Sequence, residues 1–284
     1  MRGAGKDLIS NSTSTESTTT TRLQSFDSDG FTVGTNAEVN SNGHNIVAWN
    51  WLAGTAFSND ASATGVGTLD SSGQVNTTAG FSIVSFTGGS TQGSTLKHGL
   101  DTAPSMVIAK ARTAAQNWWV FHSSLGYTKN TALNLTDASA TDNNTWLASP
   151  TSSLITIGDN FTTSNNYIAY CFANTDGYLK AGSYTGNGNA DGAFIFTGFR
   201  PSFLLVRSIG VSHWLIFDVA RHPSNVNDLR LFANLTNAED SAYSLDLLSN
   251  GFKLRHSGSD FNTSGGTHIY LAFAESPFKF ANAR

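Results

Sequence analysis

"PSFLLVRS", Pro201–Ser208, decides how this chain folds. After the proline and serine come four consecutive apolar residues and an arginine. The run is too short for a helix and suits a strand buried on both faces. Ninety-seven residues earlier the chain reads "PSMVIAKA", Pro104–Ala111. Working outward from this pair, "SFTGGS" (Ser85–Ser90) meets "SYTGNG" (Ser183–Gly188), and "WWVFHS" (Trp118–Ser123) meets "WLIFDV" (Trp214–Val219). "NLT" recurs at Asn134 and Asn234, "ITIGD" (Ile155–Asp159) meets "FKLRH" (Phe252–His256), and "IAYCFA" (Ile168–Ala173) meets "IYLAFA" (Ile269–Ala274). The separations run from 96 (Trp118 to Trp214) to 101 (Phe172 to Phe273). Such narrow drift over six landmarks marks one structural unit written more than once.

The N-terminal region carries only the later landmarks. "NST" at Asn11, "FTVGT" (Phe31–Thr35) and "IVAWNW" (Ile46–Trp51) precede their counterparts by 121 to 124 residues. The excess falls within Gly54–Gly80, a stretch rich in Gly, Ser, Thr and Asn that reads as a loop or linker. The chain therefore divides into residues 1–54, the C-terminal half of a copy; 55–80, the linker; and two full copies, 81–177 and 178–284. Three origins for the half copy stand open: the tail of a longer protein, a permuted domain, or a unit completed by a neighbouring chain.

Composition points to strands and turns. Only 13% of the 284 residues are charged, about half the usual share of a soluble domain. The 19 Phe and 6 Trp supply a core, and the Gly, Ser, Thr and Asn favour turns over helix. Each copy reads as short strands at close spacing, with Asn42-Gly43 as a hairpin dipeptide. The expected class is all-β: tandem β-sandwich or jelly-roll-like repeats with little helix. One short helix is expected within Thr236–Asn250.

The net charge is −4 with no basic stripe, which argues against nucleic-acid binding. Cys171 is the lone cysteine and reads as a buried filler. No apolar leader or membrane-length run is present, so the chain is expected to be made in a cytosol without a signal peptide and without membrane insertion. The seven histidines show no metal-ligand spacing, and no nucleophile elbow occurs. Asp27 and Asp29 open like a calcium loop, with Glu38 at the twelfth position, but "FTVGTNA" between them reads as a strand. Asp218, Glu239, Asp240, Asp246 and Asp260 are the acids from which a glycosidase pair would come. Trp118, Trp214, Phe172 and Phe273 are assigned to the core. Trp49 and Trp51 alternate about Asn50 and share a face; packing and stacking on a sugar are both open to them. The N-x-T asparagines are read as turn residues bonding local backbone. No cofactor and no catalytic residue is expected.

Taken together, "SFDSDGFTVG" (Ser25–Gly34), "VAWNW" (Val47–Trp51), "GFSIVSFTG" (Gly80–Gly88), "YIAYCFA" (Tyr167–Ala173), "GSYTGNGNADG" (Gly182–Gly192), "GFRPSFLLVR" (Gly198–Arg207), "LLSNGFKLR" (Leu247–Arg255) and "AFAESPFKFANAR" (Ala272–Arg284) resemble a family. It is a domain of unknown function repeated toward the C-terminal end of large structural proteins of marine bacteriophages. The resemblance implies a non-enzymatic virion component: a tail-fibre, tail-tip or capsid-decorating part. Its expected partners are copies of itself, other virion proteins and a host cell-surface glycan. The rival readings are a lectin-like carbohydrate-binding module, with Trp49 and Trp51 as its candidates, and a polysaccharide depolymerase.

Overall fold

The computed structural model describes residues 2–278. Residues up to 54 hold two strand pairs, β1 (Lys6–Asp7) with β2 (Ser17–Thr18) and β3 (Leu23–Phe26) with β4 (Phe31–Val33), then the helical turn α1 (Ala37–Asn40). Next come β5 (Thr55–Asn59), α2 (Ala61–Thr64) and β6 (Ser71–Asn76). The following copy holds β7 (Phe81–Thr87), β8 (Thr95–Lys97), β9 (Met106–Ala111), β10 (Trp119–His122), β11 (Lys129–Ala132), β12 (Ala140–Thr141), β13 (Leu154–Thr156), a 3-10 turn at Asp159–Phe161, and β14 (Asn166–Phe172). The last holds β15 (Leu179–Thr185), β16 (Phe194–Phe196), β17 (Pro201–Ser208), β18 (Leu215–Asp218), β19 (Leu231–Phe232), β20 (Leu245–Leu248), β21 (Gly251–Leu254), α3 (Ser259–Asn262) and β22 (Thr267–Ala274).

The protein is all-β, built from several antiparallel sheets. One large sheet contains β7-β14-β9-β10-β11 in that order and the other β15-β22-β17-β18-β19. The same order of strands thus arises from segments about a hundred residues apart. Each large sheet also faces a small one, β8 with β13 on one side and β16, β21 and β20 on the other.

The apolar run in Pro201–Ser208 finds its explanation here. Phe203 and Leu205 point into a core shared by the two large sheets, while Leu204 and Val206 point into a second core against the small sheet. In β9, Met106 and Ile108 face the shared core, and Val107 and Ala109 the outer one. Period-two alternation divides the central strands β9, β14, β17 and β22 between two cores, so the middle of each large sheet is covered on both faces and their sequences show no polar stripe. Phe172 and Phe273, equivalent landmarks, meet edge-on at 5.9 Å in the shared core, and Trp51 meets Phe273 at 5.3 Å.

The asparagines of the two "NLT" triplets serve the fold. Asn134 Oδ1 accepts from the Trp118 backbone N–H at 2.8 Å, and Asn234 Oδ1 from that of Trp214 at 3.0 Å. Each ties the start of a core strand to the loop that follows its partner. Asn234→Ala leaves a buried N–H unpaired and is expected to lower stability by about 1–2 kcal/mol. Chemical denaturation checks this against a Thr236→Ala control at the exposed end of the same triplet.

Four expectations need correction. Residues 55–80 are not a linker: β5 pairs with β6, and β6 pairs along β7, extending the first large sheet. Their Ser, Gln and Asn side chains hid a strand pair that the β7 edge organises. The helix expected within Thr236–Asn250 is instead β20, because Leu245 and Leu247 are buried on alternate positions against β21. Ile46–Trp51, the counterpart of β14 and β22, forms no strand, and Asn42-Gly43 turns without closing a hairpin. Both counterparts run between two hydrogen-bonded neighbours; here neither neighbour is present among the described residues.

Candidate functional site

Trp49 and Trp51 share a face, as their alternation requires. Both rings meet Phe203 edge-on, at 5.3 and 5.7 Å. They are half-buried against the shared core, and their remaining surface lines a groove of about 310 Å³ with Asn50, Tyr178, Ser202 and Glu275. The Glu275 carboxylate is held by Arg200 at 2.7 Å. Burial pushes the Tyr178 phenol up, so it is a neutral donor there. Two indoles and a phenol beside short polar side chains form a surface on which a sugar ring can stack. No other predicted site residue lies in this groove except Phe273.

Trp118, Trp214, Phe172 and Phe273 are all buried. Trp214 is wholly enclosed, and its indole N–H donates to the Ala132 carbonyl at 2.9 Å. Trp118 donates likewise to the Ile9 carbonyl at 3.0 Å. Asp27 sits in the β3–β4 turn, where its carboxylate accepts from Ser25 and Thr32 hydroxyls at 2.8 Å. Glu38 pairs with Arg22 instead of turning toward Asp27. Asp29 is exposed in the same turn. Among the described residues no three His, Cys, Asp or Glu side chains are grouped to hold a metal ion.

The acids considered for glycoside hydrolysis are each engaged. Arg221 holds both Asp218 and Glu239 at 2.6 Å, Arg230 holds Asp240 and Arg255 holds Asp246. Asp260 accepts from the Tyr243 hydroxyl at 3.2 Å. The Arg230 hydrogen bond keeps the Asp240 carboxyl below its ordinary range. The imidazoles of His98 and His122 are buried, and desolvation pushes each down to about 4. Burial raises the Cys171 thiol to about 12, leaving it an inert filler.

Sequence reading missed a second groove, of about 370 Å³, formed where 55–80 joins the first large sheet and lined by Ser58, Asp60, Asp70, Arg112 and Asn166. Its charged groups also serve the fold. Asp60 caps α2, Asp70 accepts from the Ala61 N–H, and Arg112 grips Glu16 through two hydrogen bonds. The polar alternation of 55–80 was the available signal. It also missed Lys110 and Arg207, charged residues fully buried at equivalent positions of β9 and β17. Desolvation lowers them to about 8 and about 10.

With this geometry in place, comparison with known proteins adds one finding. Residues 1–277 match the family described as a domain of unknown function, DUF7483. The chain belongs to that family. The DUF7483 match takes in the N-terminal segment, the 55–80 strand pair and both large sheets. No curated protein and no solved structure matches the chain.

Proposed function

We propose that this DUF7483 protein is a non-enzymatic structural component of a phage virion, built of tandem β-sandwich repeats and contributing to assembly or host-surface adhesion. The virion setting is supported by the resemblance of its motifs to phage structural proteins. The observation that carries the architectural reading is the use of its reactive side chains. The acids weighed for hydrolysis, two of the buried imidazoles and the two buried cations all hold the fold together. Repeated display on a symmetric particle would turn weak single contacts into avidity. An antibody raised against the protein is expected to decorate phage particles purified from lysates of the strain that encodes it. Particles that lack the polypeptide by mass spectrometry would overturn the reading.

The Trp49–Trp51 groove favours a second reading, a lectin-like module. Asn50 is exposed between the two indoles, so Asn50→Ala tests the groove without opening the core. Binding on a glycan array, weakened about tenfold or more by Asn50→Ala, is the result expected of a lectin; no bound glycan removes that reading.

A further inference from the structure

Two joints in the molecule share three hydrogen bonds at matching positions and place a cation beside them. In the first, the Trp118 indole donates to Ile9 O, Lys110 Nζ and the Gln116 N–H donate to Thr13 O, and the Glu16 N–H donates to Arg112 O. In the second, the Trp214 indole donates to Ala132 O, the Ser212 N–H to Thr136 O and the Ser139 N–H to Ile209 O. Arg207, equivalent to Lys110, reaches Thr131 Oγ1 and Asp137 O, both at 2.7 Å. The receiving positions 9, 13 and 16 recur as 132, 136 and 139. Each joint seats a strand pair carrying a buried cation and a tryptophan on the segment around the N-x-T triplet of the preceding copy.

The last copy has the same receiving segment at Phe232, Thr236 and Glu239. Its Asn234 holds Trp214 as Asn134 holds Trp118, and β19 pairs with β18 as β11 pairs with β10. Yet Thr236 and Glu239 are exposed, and Thr236 O and the Glu239 N–H have no hydrogen-bond partner among the described residues. Beside them lies a groove of about 830 Å³. Leu231, Ala238 and Glu239 form one wall, and Ile46 and Val47 another. Ile46 is 52% exposed and begins the stretch that, alone of the three closing segments, lacks strand neighbours.

We infer that this groove is a docking site for a β-strand pair from a second polypeptide, of the same type as β9–β10 and β17–β18. Its tryptophan donates to Phe232 O, its backbone N–H donates to Thr236 O, and its backbone carbonyl accepts from the Glu239 N–H. Its inner strand pairs along Ile46–Trp51 and turns that stretch into a strand. Two observations carry the occupant's chemistry: the two filled joints, and the unpaired edges that bound the groove on both sides. The inference rests on the chain being made of repeated units. Its readout is backbone protection in the isolated protein, so it fails or stands separately from any particle or glycan assay.

The test uses the full chain with Gly198–Val219 of this sequence as the probe, carried on a solubility partner. Hydrogen exchange is expected to slow at least tenfold at Glu239 and across Ile46–Trp51 on adding the probe. The same probe with Trp214→Ala should bind at least tenfold more weakly. A second format joins the probe segment ahead of Met1 through a flexible linker, which removes any dependence on the free probe's solubility. Unchanged exchange at Glu239 and Ile46–Trp51 in both formats overturns the proposal, as does protection confined to another edge such as that of β15.

Discussion

Trp214→Ala is expected to lower the stability of the protein by about 4 kcal/mol, near the upper end for a single side chain. Trp214 is 0% exposed and fills the core shared by the two large sheets. Its loss leaves a cavity and strips the Ala132 carbonyl of its donor. It also uncovers Arg207, whose guanidinium lies 5.2 Å from the indole centroid. That cation is buried and held by the Ser208, Asp137 and Gly210 carbonyls and Thr131 Oγ1. Removing its aromatic cover adds to the penalty. Trp214→Phe keeps most of the volume and loses the hydrogen bond, so about 1–2 kcal/mol is expected. Trp118→Ala should cost less than Trp214→Ala, because Trp118 covers no buried guanidinium and its indole N–H donates only to the short N-terminal segment. Denaturant midpoints at constant slope read all three. A loss below about 1 kcal/mol for Trp214→Ala would show that the large sheets are not held as described.

Acidification is the second large effect. His98 Nε2 faces the Thr151 carbonyl at 3.1 Å and its Nδ1 accepts from the Leu100 N–H. His122 repeats this with the Tyr270 carbonyl at 3.2 Å and the Ser124 N–H. Both rings therefore carry their proton on Nε2, and a second proton on Nδ1 would oppose a backbone donor. Burial already lowers both groups to about 4 from an ordinary 6.5. The unfolded chain binds these protons first, so the two histidines cost no stability above about pH 6.5 and an increasing amount as pH drops toward 4. Each histidine contributes about 3 kcal/mol across that window. Asp60, Asp191 and Asp240, also shifted down, lose their contribution at lower pH than this. His122 bridges the two large sheets, so its protonation loosens their contact first. The double variant His98→Asn, His122→Asn retains an acceptor for each backbone N–H and should flatten the slope between pH 6.5 and 4. Thermal melts at pH 7 and 4.5 measure it; an unchanged slope would mean that other groups govern acid unfolding.

Much of the fold was legible because burial writes itself into spacing. Uninterrupted apolar runs at Met106–Ala109 and Phe203–Val206 meant strands covered on both sides, and the offsets between them announced equivalent sheets. The N-x-T asparagines were legible as backbone partners, but the expected partner was local, whereas Asn134 and Asn234 accept from the Trp118 and Trp214 N–H groups across the neighbouring strand pair. The strands in 55–80 were not legible: Ser72, Gln74 and Asn76 would suit a loop equally well, and only the free edge of β7 makes them a strand pair. Ile46–Trp51 erred in the other direction, its strand-like pattern having no neighbour to pair with.

The candidate site divides along the same line. Sequence alone determined the alternation that puts Trp49 and Trp51 on one face, the recurrence of Trp118 at Trp214 and of Phe172 at Phe273, and the double-sided burial of the main strands. Each follows from intervals along the chain. Only the tertiary structure decided that Trp49 and Trp51 pack on Phe203, that Lys110 and Arg207 lie buried at matching joints, and that His122 reaches across to Tyr270. Those outcomes depend on which sheet lies opposite which. Hydrogen-bond donors and acceptors far apart in sequence are matched by position in space, and no local pattern encodes that match.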